Sequence, residues 1–329
     1  MTPHLTDFTP EELERLGIFI VGSVLNQVLE EVKDAPDVAL VHITKEGKET
    51  IFADQEAHSW CLRELRETQD KRFAGILPVS EEGMKSGAEV LNQNRVCALF
   101  DPIDGSDLIE RGLGNWCSAA VFFHPKLKKG ERLKAAIVGV PNGDIYHARH
   151  GVDGARVERF VKKHDGANIR KEYVPESVRG HSKVTSIERA SVCFYGQKVG
   201  NLMTTAALPL WQKLNEKDQA RKKLEKQRLP LRVYNLAGIP MMTRMVDKTG
   251  QKGSGIDVVF DSVGQYPHDV VAGAYIALKA GASLLDFEGK RIDVVQLEEA
   301  LLNPDSPTMK YVLASTERLA RNFLKFMKS

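Results

Sequence analysis

Near the start of the chain apolar residues recur at helical spacing. Leu13, Leu16, Ile20, Val24 and Val28 form one stripe, flanked by Val21, Leu25, Leu29 and Val32. Thr9-Pro10-Glu11-Glu12 supplies an N-cap, a proline at the first helical position and a glutamate at the third, so a helix is predicted from Pro10. Short apolar runs at 38–43, 76–79 and 96–100 read as strands. Asp54 opens a second helix with Ala57, Cys61, Leu62 and Leu65 on one face. Runs at 117–123, 134–140 and 145–148, the last two joined by Pro141-Asn142-Gly143-Asp144, predict a meander on one sheet. The composition turns polar from Arg156 to Lys183, which predicts a connecting stretch. Beyond it come a strand at 190–195, an amphipathic helix at 208–228 and a strand at 257–260. A nearly all-apolar helix at 268–280 ends at Gly281, and strands at 282–287 and 310–314 follow. Ser315 caps a closing helix with Leu319, Phe323, Leu324 and Phe326. This order predicts a layered mixed α/β fold, with an α+β subdomain over 1–155 and an α/β subdomain over 156–329.

Composition narrows the function classes. With 329 residues, 42% of them hydrophobic, the chain can bury a substantial core. A net charge of +2 gives no overall preference for nucleic acid or membranes. The seven Lys/Arg between Lys213 and Arg228 are interleaved with three acids at helical spacing, which suits a solvated helix face. No apolar run reaches the ~20 residues of a membrane-spanning helix. Asp7, Glu11 and Glu12 stand where a signal peptide would be basic, so a cytoplasmic protein with no membrane partner is expected. Cys61, Cys97, Cys117 and Cys193 form no C-x-x-C pair and sit among apolar residues, predicting buried reduced thiols rather than zinc ligands.

The chemistry concentrates at Asp101-Pro102-Ile103-Asp104-Gly105-Ser106, directly after the strand at 96–100. Two carboxylates leave a strand end together in a stiff turn, and hard cations such as Mg²⁺ take oxygen ligands. Asp54, Glu81 and Asp269 also sit at element ends, where side chains converge. Clustered carboxylates repel by several kcal/mol per pair at an effective dielectric of ~20. Two cations ~3.5–4 Å apart relieve that repulsion and suit phosphoryl transfer. Gly105 and Ser106, opening a helical turn, offer backbone N–H groups to a phosphate.

On these motifs the chain resembles the inositol monophosphatase/fructose-1,6-bisphosphatase superfamily of Mg²⁺-dependent, often lithium-sensitive phosphatases. The family's D-P-x-D-G-[ST] is Asp101 to Ser106, its glutamate pair is Ser80-Glu81-Glu82, and its W-D-x-A-A-G is His268-Asp269-Val270-Val271-Ala272-Gly273. The resemblance implies a layered α-β-α-β-α sandwich of the sugar phosphatase type. It implies two or three Mg²⁺ ions, one held by Glu81, Asp101 and the Ile103 carbonyl, another by Asp101, Asp104 and Asp269. Asp54, Glu81 and Ser106 take catalytic roles, while Gly105, Ser106 and Asp261 bind substrate. The sequence departs from the family at several places. Ile51 replaces the threonine of V-T-x-x-D, His268 the tryptophan, and Ser80 a glycine. The pocket segment R-x-x-G-S-A-A appears only as Arg232-Val233-Tyr234-Asn235-Leu236-Ala237. At the family's sugar-binding acid stands Ser262, with Asp261 one residue off. The implied activity is Mg²⁺-dependent hydrolysis of a small phosphate monoester, a sugar or polyol phosphate. Fructose 1,6-bisphosphate and 3′-phosphoadenosine nucleotides are rival substrates, and a non-catalytic metal- or phosphate-binding regulator is the rival class. The expected partner is a small phosphorylated substrate, not nucleic acid or membrane, with a homodimer left open.

Overall fold

The first helix begins where the cap signal places it. In the computed structural model α1 spans Pro10–Asp34. The Thr9 backbone N–H donates to Glu12 Oε2 at 2.8 Å, and the Glu12 N–H donates to Thr9 Oγ1 at 3.2 Å. This reciprocal box satisfies two otherwise orphaned donors. Thr9→Ala is expected to cost about 1 kcal/mol of unfolding free energy, read by urea denaturation. The structure describes residues 8–34, 41–43, 49–68, 70–80, 90, 92–110, 114–165, 168–178, 184, 186–187, 190–196, 198–224, 232–236, 238–246, 255–303 and 308–328.

A short antiparallel pair, β1 (Val41–Ile43) and β2 (Glu49–Ile51), precedes α2 (Phe52–Glu67). A seven-stranded sheet follows in the order β3 (Leu77–Ser80), β4 (Cys97–Asp104), β5 (Cys117–Phe123), β6 (Leu133–Gly139), β7 (Ile145–Arg149), β8 (Ala155–Asp165) and β9 (Asn168–Val178). Only β3 and β4 are parallel; the rest form an antiparallel meander. A single turn of helix, α3 (Ser106–Glu110), leaves the end of β4.

The polar stretch from Arg156 to Lys183, expected to connect two subdomains, instead carries β8 and β9 as the outer hairpin of this sheet. Position 155/156 therefore falls at the start of a strand. At a sheet margin polar residues are tolerated on the exposed positions, which removes the apolar run that marks an inner strand.

The second sheet has five strands in the order β11 (Arg232–Tyr234), β10 (Ser191–Phe194), β12 (Val258–Gln265), β14 (Met309–Ala314) and β13 (Ser283–Leu285). β10, β11 and β12 are mutually parallel through β10. The helices are α4 (Val199–Ala206), α5 (Leu210–Leu224), α6 (Ile239–Val246), α7 (Val271–Lys279), α8 (Val294–Leu301) and α9 (Glu317–Lys328). The final helix is capped by Thr316, whose Oγ1 accepts from the Leu319 N–H at 3.2 Å, not by the expected Ser315, which is 2% exposed.

Three apolar clusters bind these pieces into the α-β-α-β-α sandwich. Leu13, Ile20 and Val24 of α1 and Trp60 and Cys61 of α2 pack on Phe100, Phe122 and Ile137 of the large sheet. The opposite face of that sheet meets Met242 of α6, Tyr275 and Ile276 of α7 and Leu297 of α8, which also cover Val259 and Leu313 of the small sheet. Leu210 of α5 and Phe323 of α9 close the far face over Phe194, Phe260 and Val312. Helices on both faces explain why β5 is buried at every position and reads as an unbroken apolar run. The four cysteines are free and buried. No described helix is long and apolar enough to cross a membrane.

Candidate metal and phosphate site

Asp101 and Asp104 lie three residues apart at the end of β4, a spacing that in a regular strand points side chains to opposite faces. A bulge changes this. Asp101 pairs with Ala119 and Asp104 with Cys117, so three steps on β4 oppose two on β5. The extra residue restores the parity and lets both carboxylates turn the same way. Pro102 lies within the bulge, where a missing ladder donor is tolerated. The Ile103 side chain goes the other way, into the cluster under α1 and α2.

Asp269 reaches the same place from the second half of the chain. The helix predicted over 268–280 is broken: Pro267–Asp269 forms a 3-10 turn, and α7 starts only at Val271. Proline at the first position starts the turn and fixes its φ. The turn leaves Asp269 just ahead of α7, where its Oδ2 accepts from the Tyr266 N–H at 3.3 Å. His268 is buried, stacks on Tyr266 at 5.6 Å between centroids, and places Nε2 3.4 Å from Asp269 Oδ1.

Ligand oxygens of Asp101, Asp104 and Asp269 all lie within 4.8 Å of one another. Asp101 is buried and the other two are half-buried. Like charges at that separation repel by about 3 kcal/mol per pair at an effective dielectric near 20, so the cluster calls for a cation. The donors are hard oxygens at close mutual distance, which fits Mg²⁺ and not a thiophilic metal. The field is felt nearby. Burial first, then Asp104 and Asp101, push the Cys117 thiol well above its usual pKa.

One contact was not visible in the sequence reading. Asp104 Oδ2 accepts from the Ile239 N–H, the first amide of α6, at 2.8 Å. Gly238 precedes it at φ +99, and a Cβ there would sit 2.5 Å from Asp104 Oδ2. Gly238 followed by Pro240 is a helix-start signal that could have located this contact.

Gly105 has φ +91, and the Leu108 N–H bonds its carbonyl at 2.9 Å, so a helical turn does begin at Ser106 as expected. Ser106 is half-buried. Asp54 falls within α2, but its side chain lies outside the described residues, as does Glu81.

Asp261, expected to touch substrate, is 0% exposed. Its Oδ1 accepts from the Val263 N–H at 2.8 Å and from the Gly264 N–H, anchoring the irregular end of β12. Full burial removes it from direct substrate contact. Ser262 beside it shares a hydrogen bond with Thr205 of α4 at 2.9 Å. Burial, opposed by those two amides and reinforced by Asp269, pushes the Asp261 carboxyl up to about 6. An acid with a raised folded-state pKa favours its neutral form on folding. Its stabilising share is complete below the unfolded value near 3.8 and is lost as pH rises through about 6. Asp261→Asn in chelator should therefore gain about 1–3 kcal/mol over wild type at pH 8 and close to nothing at pH 4, read by denaturant titration.

No protein-family model and no curated protein sequence matches the chain. Solved structures do. The extragenic suppressor protein SuhB of Bartonella henselae superposes with a TM-score of 0.64 at 13% identity, covering 96% of this chain and 98% of that one. The Thermotoga maritima inositol monophosphatase (IMPase) gives 0.61 at 18% identity and 94% of each chain. CysQ from Bacteroides thetaiotaomicron, described as a bacterial member of the inositol monophosphatase family, gives 0.52 at 14% identity, covering 92% of this chain and 94% of that one. The chain therefore has the inositol monophosphatase fold, with its carboxylate cluster formed where β4 ends and α7 begins.

Proposed function

We propose that this chain is a Mg²⁺-dependent phosphatase acting on a small phosphate monoester of the sugar or polyol class. The observation that carries the proposal is the convergence of Asp101, Asp104 and Asp269 within 4.8 Å, from two distant stretches of a chain with this fold. These three carboxylates hold the cations, with the Ile103 carbonyl and Glu81 completing the set. Bound Mg²⁺ supplies charge against the phosphoryl oxygens and acidifies water. The residues themselves do the positioning. Backbone N–H groups at Gly105 and Ser106 seat the phosphate, and the Ser106 hydroxyl orients the attacking water with Asp54 and Glu81. The name of the Thermotoga relative supports the polyol class over a bisphosphate or a nucleotide.

Phosphate release measured with malachite green, across inositol, glycerol, fructose 1,6-bis- and 3′-phosphoadenosine esters, tests this directly. Polyol monophosphates should give the highest kcat/KM, and Asp104→Asn should give none. Tight ester binding without turnover at saturating Mg²⁺ would instead mark a non-catalytic regulator.

A further inference from the structure

Asn115 is 5% exposed, and both its Nδ2 and its Oδ1 are fully buried with no hydrogen-bond partner in the protein. A buried unpaired amide is costly and calls for a partner from outside the chain. Its position says where. Cys117 pairs with Asp104, so carrying the antiparallel register two residues onward sets Asn115 opposite Ser106. The contact is close: a Cβ on Gly105 would lie 3.1 Å from the Asn115 carbonyl oxygen and 3.4 Å from Trp116 Cα. Trp116 is buried under α1 and α2, whereas Cys117 faces the other core and feels Asp104 and Asp101. By strand alternation Asn115 shares the side of Cys117, the side of the carboxylates. α6 covers this segment from above, with Arg244 Nη2 donating to the Gly114 carbonyl at 3.1 Å.

Resting on the phosphatase reading, we infer that Asn115 is a substrate-specificity residue whose carboxamide grips a hydroxyl of the substrate beside the phosphate seat. The chemistry selects the group. An amide presents donors at Nδ2 and an acceptor at Oδ1. A phosphoryl oxygen only accepts and would leave Oδ1 unpaired. A hydroxyl accepts from Nδ2 and donates to Oδ1, satisfying both orphaned atoms. Sites that pair a substrate hydroxyl reject analogues lacking it, because the protein group is then left unsatisfied.

The test is Asn115→Leu, close in shape and without polar atoms. For glycerol and inositol monophosphates, KM should rise about 10-fold or more with kcat little changed. For p-nitrophenyl phosphate, which has no hydroxyl, both constants should stay within about 2-fold. The thermal midpoint without substrate should rise, since a buried unpaired amide has gone. An equal loss on both ester types overturns the inference, as does a lowered midpoint, which would mark the amide as structural. So does a penalty confined to nucleoside monophosphates. Calorimetric binding of inositol monophosphate separates this inference from the reading it rests on. Wild-type binding without turnover overturns the phosphatase reading alone. Unchanged affinity in Asn115→Leu overturns the role of Asn115 alone, and no binding by wild type overturns both.

Discussion

Replacing Asp101 by Asn is expected to reduce kcat for phosphate release by at least ~10³-fold while leaving the fold intact. Asp101 is the most buried of the three clustered carboxylates and the one that the bulge in β4 turns toward the other two. Asn keeps the volume and one oxygen but removes the charge that attracts the cation. Mg²⁺ affinity measured by calorimetry should fall with the rate. Stability should move the other way. In chelator the wild-type protein carries unrelieved repulsion among carboxylates held within 4.8 Å, so the thermal midpoint of Asp101→Asn should match or exceed that of wild type. A variant that loses both rate and stability would mean that Asp101 serves the fold rather than the ion.

Gly238→Ala is expected to act on the same site from the opposite sheet's side. Its φ of +99 disfavours any side chain, and the new Cβ would sit 2.5 Å from Asp104 Oδ2. The carboxylate must move, and its bond from the Ile239 amide is lost. Denaturant titration should show a loss of about 1–3 kcal/mol. Mg²⁺ affinity should fall about tenfold, since a ligand displaced by an ångström no longer fits a small octahedron. Reduced stability with unchanged Mg²⁺ affinity would make Gly238 a turn residue and nothing more.

Much of the fold was legible because the elements that matter sit between two helical layers. β5 reads as a strand from its own apolar run, and α1 announces itself through Thr9, Pro10 and Glu12. β8 and β9 were missed because their residues at the sheet margin carry charge instead of an apolar pattern. The unread α4 exposes Val199 and Met203, so its apolar residues do not mark a buried face. At the site, Asp101, Asp104 and Asp269 were legible because carboxylates at element ends have few structural uses in company. Asp261 misled because spacing along a chain does not report which side of an irregular strand is buried. The Gly238 and Asn115 contacts join segments far apart in sequence, and no local pattern of theirs encodes the partner.

The most direct test of the central claim is one sample of wild-type protein assayed twice for phosphate release from inositol monophosphate, first in EDTA and then after Mg²⁺ is restored in excess. No release in EDTA and full recovery with Mg²⁺ is the expected result. The same rate in both conditions, or no release in either, would contradict a carboxylate-held cation site built to hydrolyse phosphate monoesters.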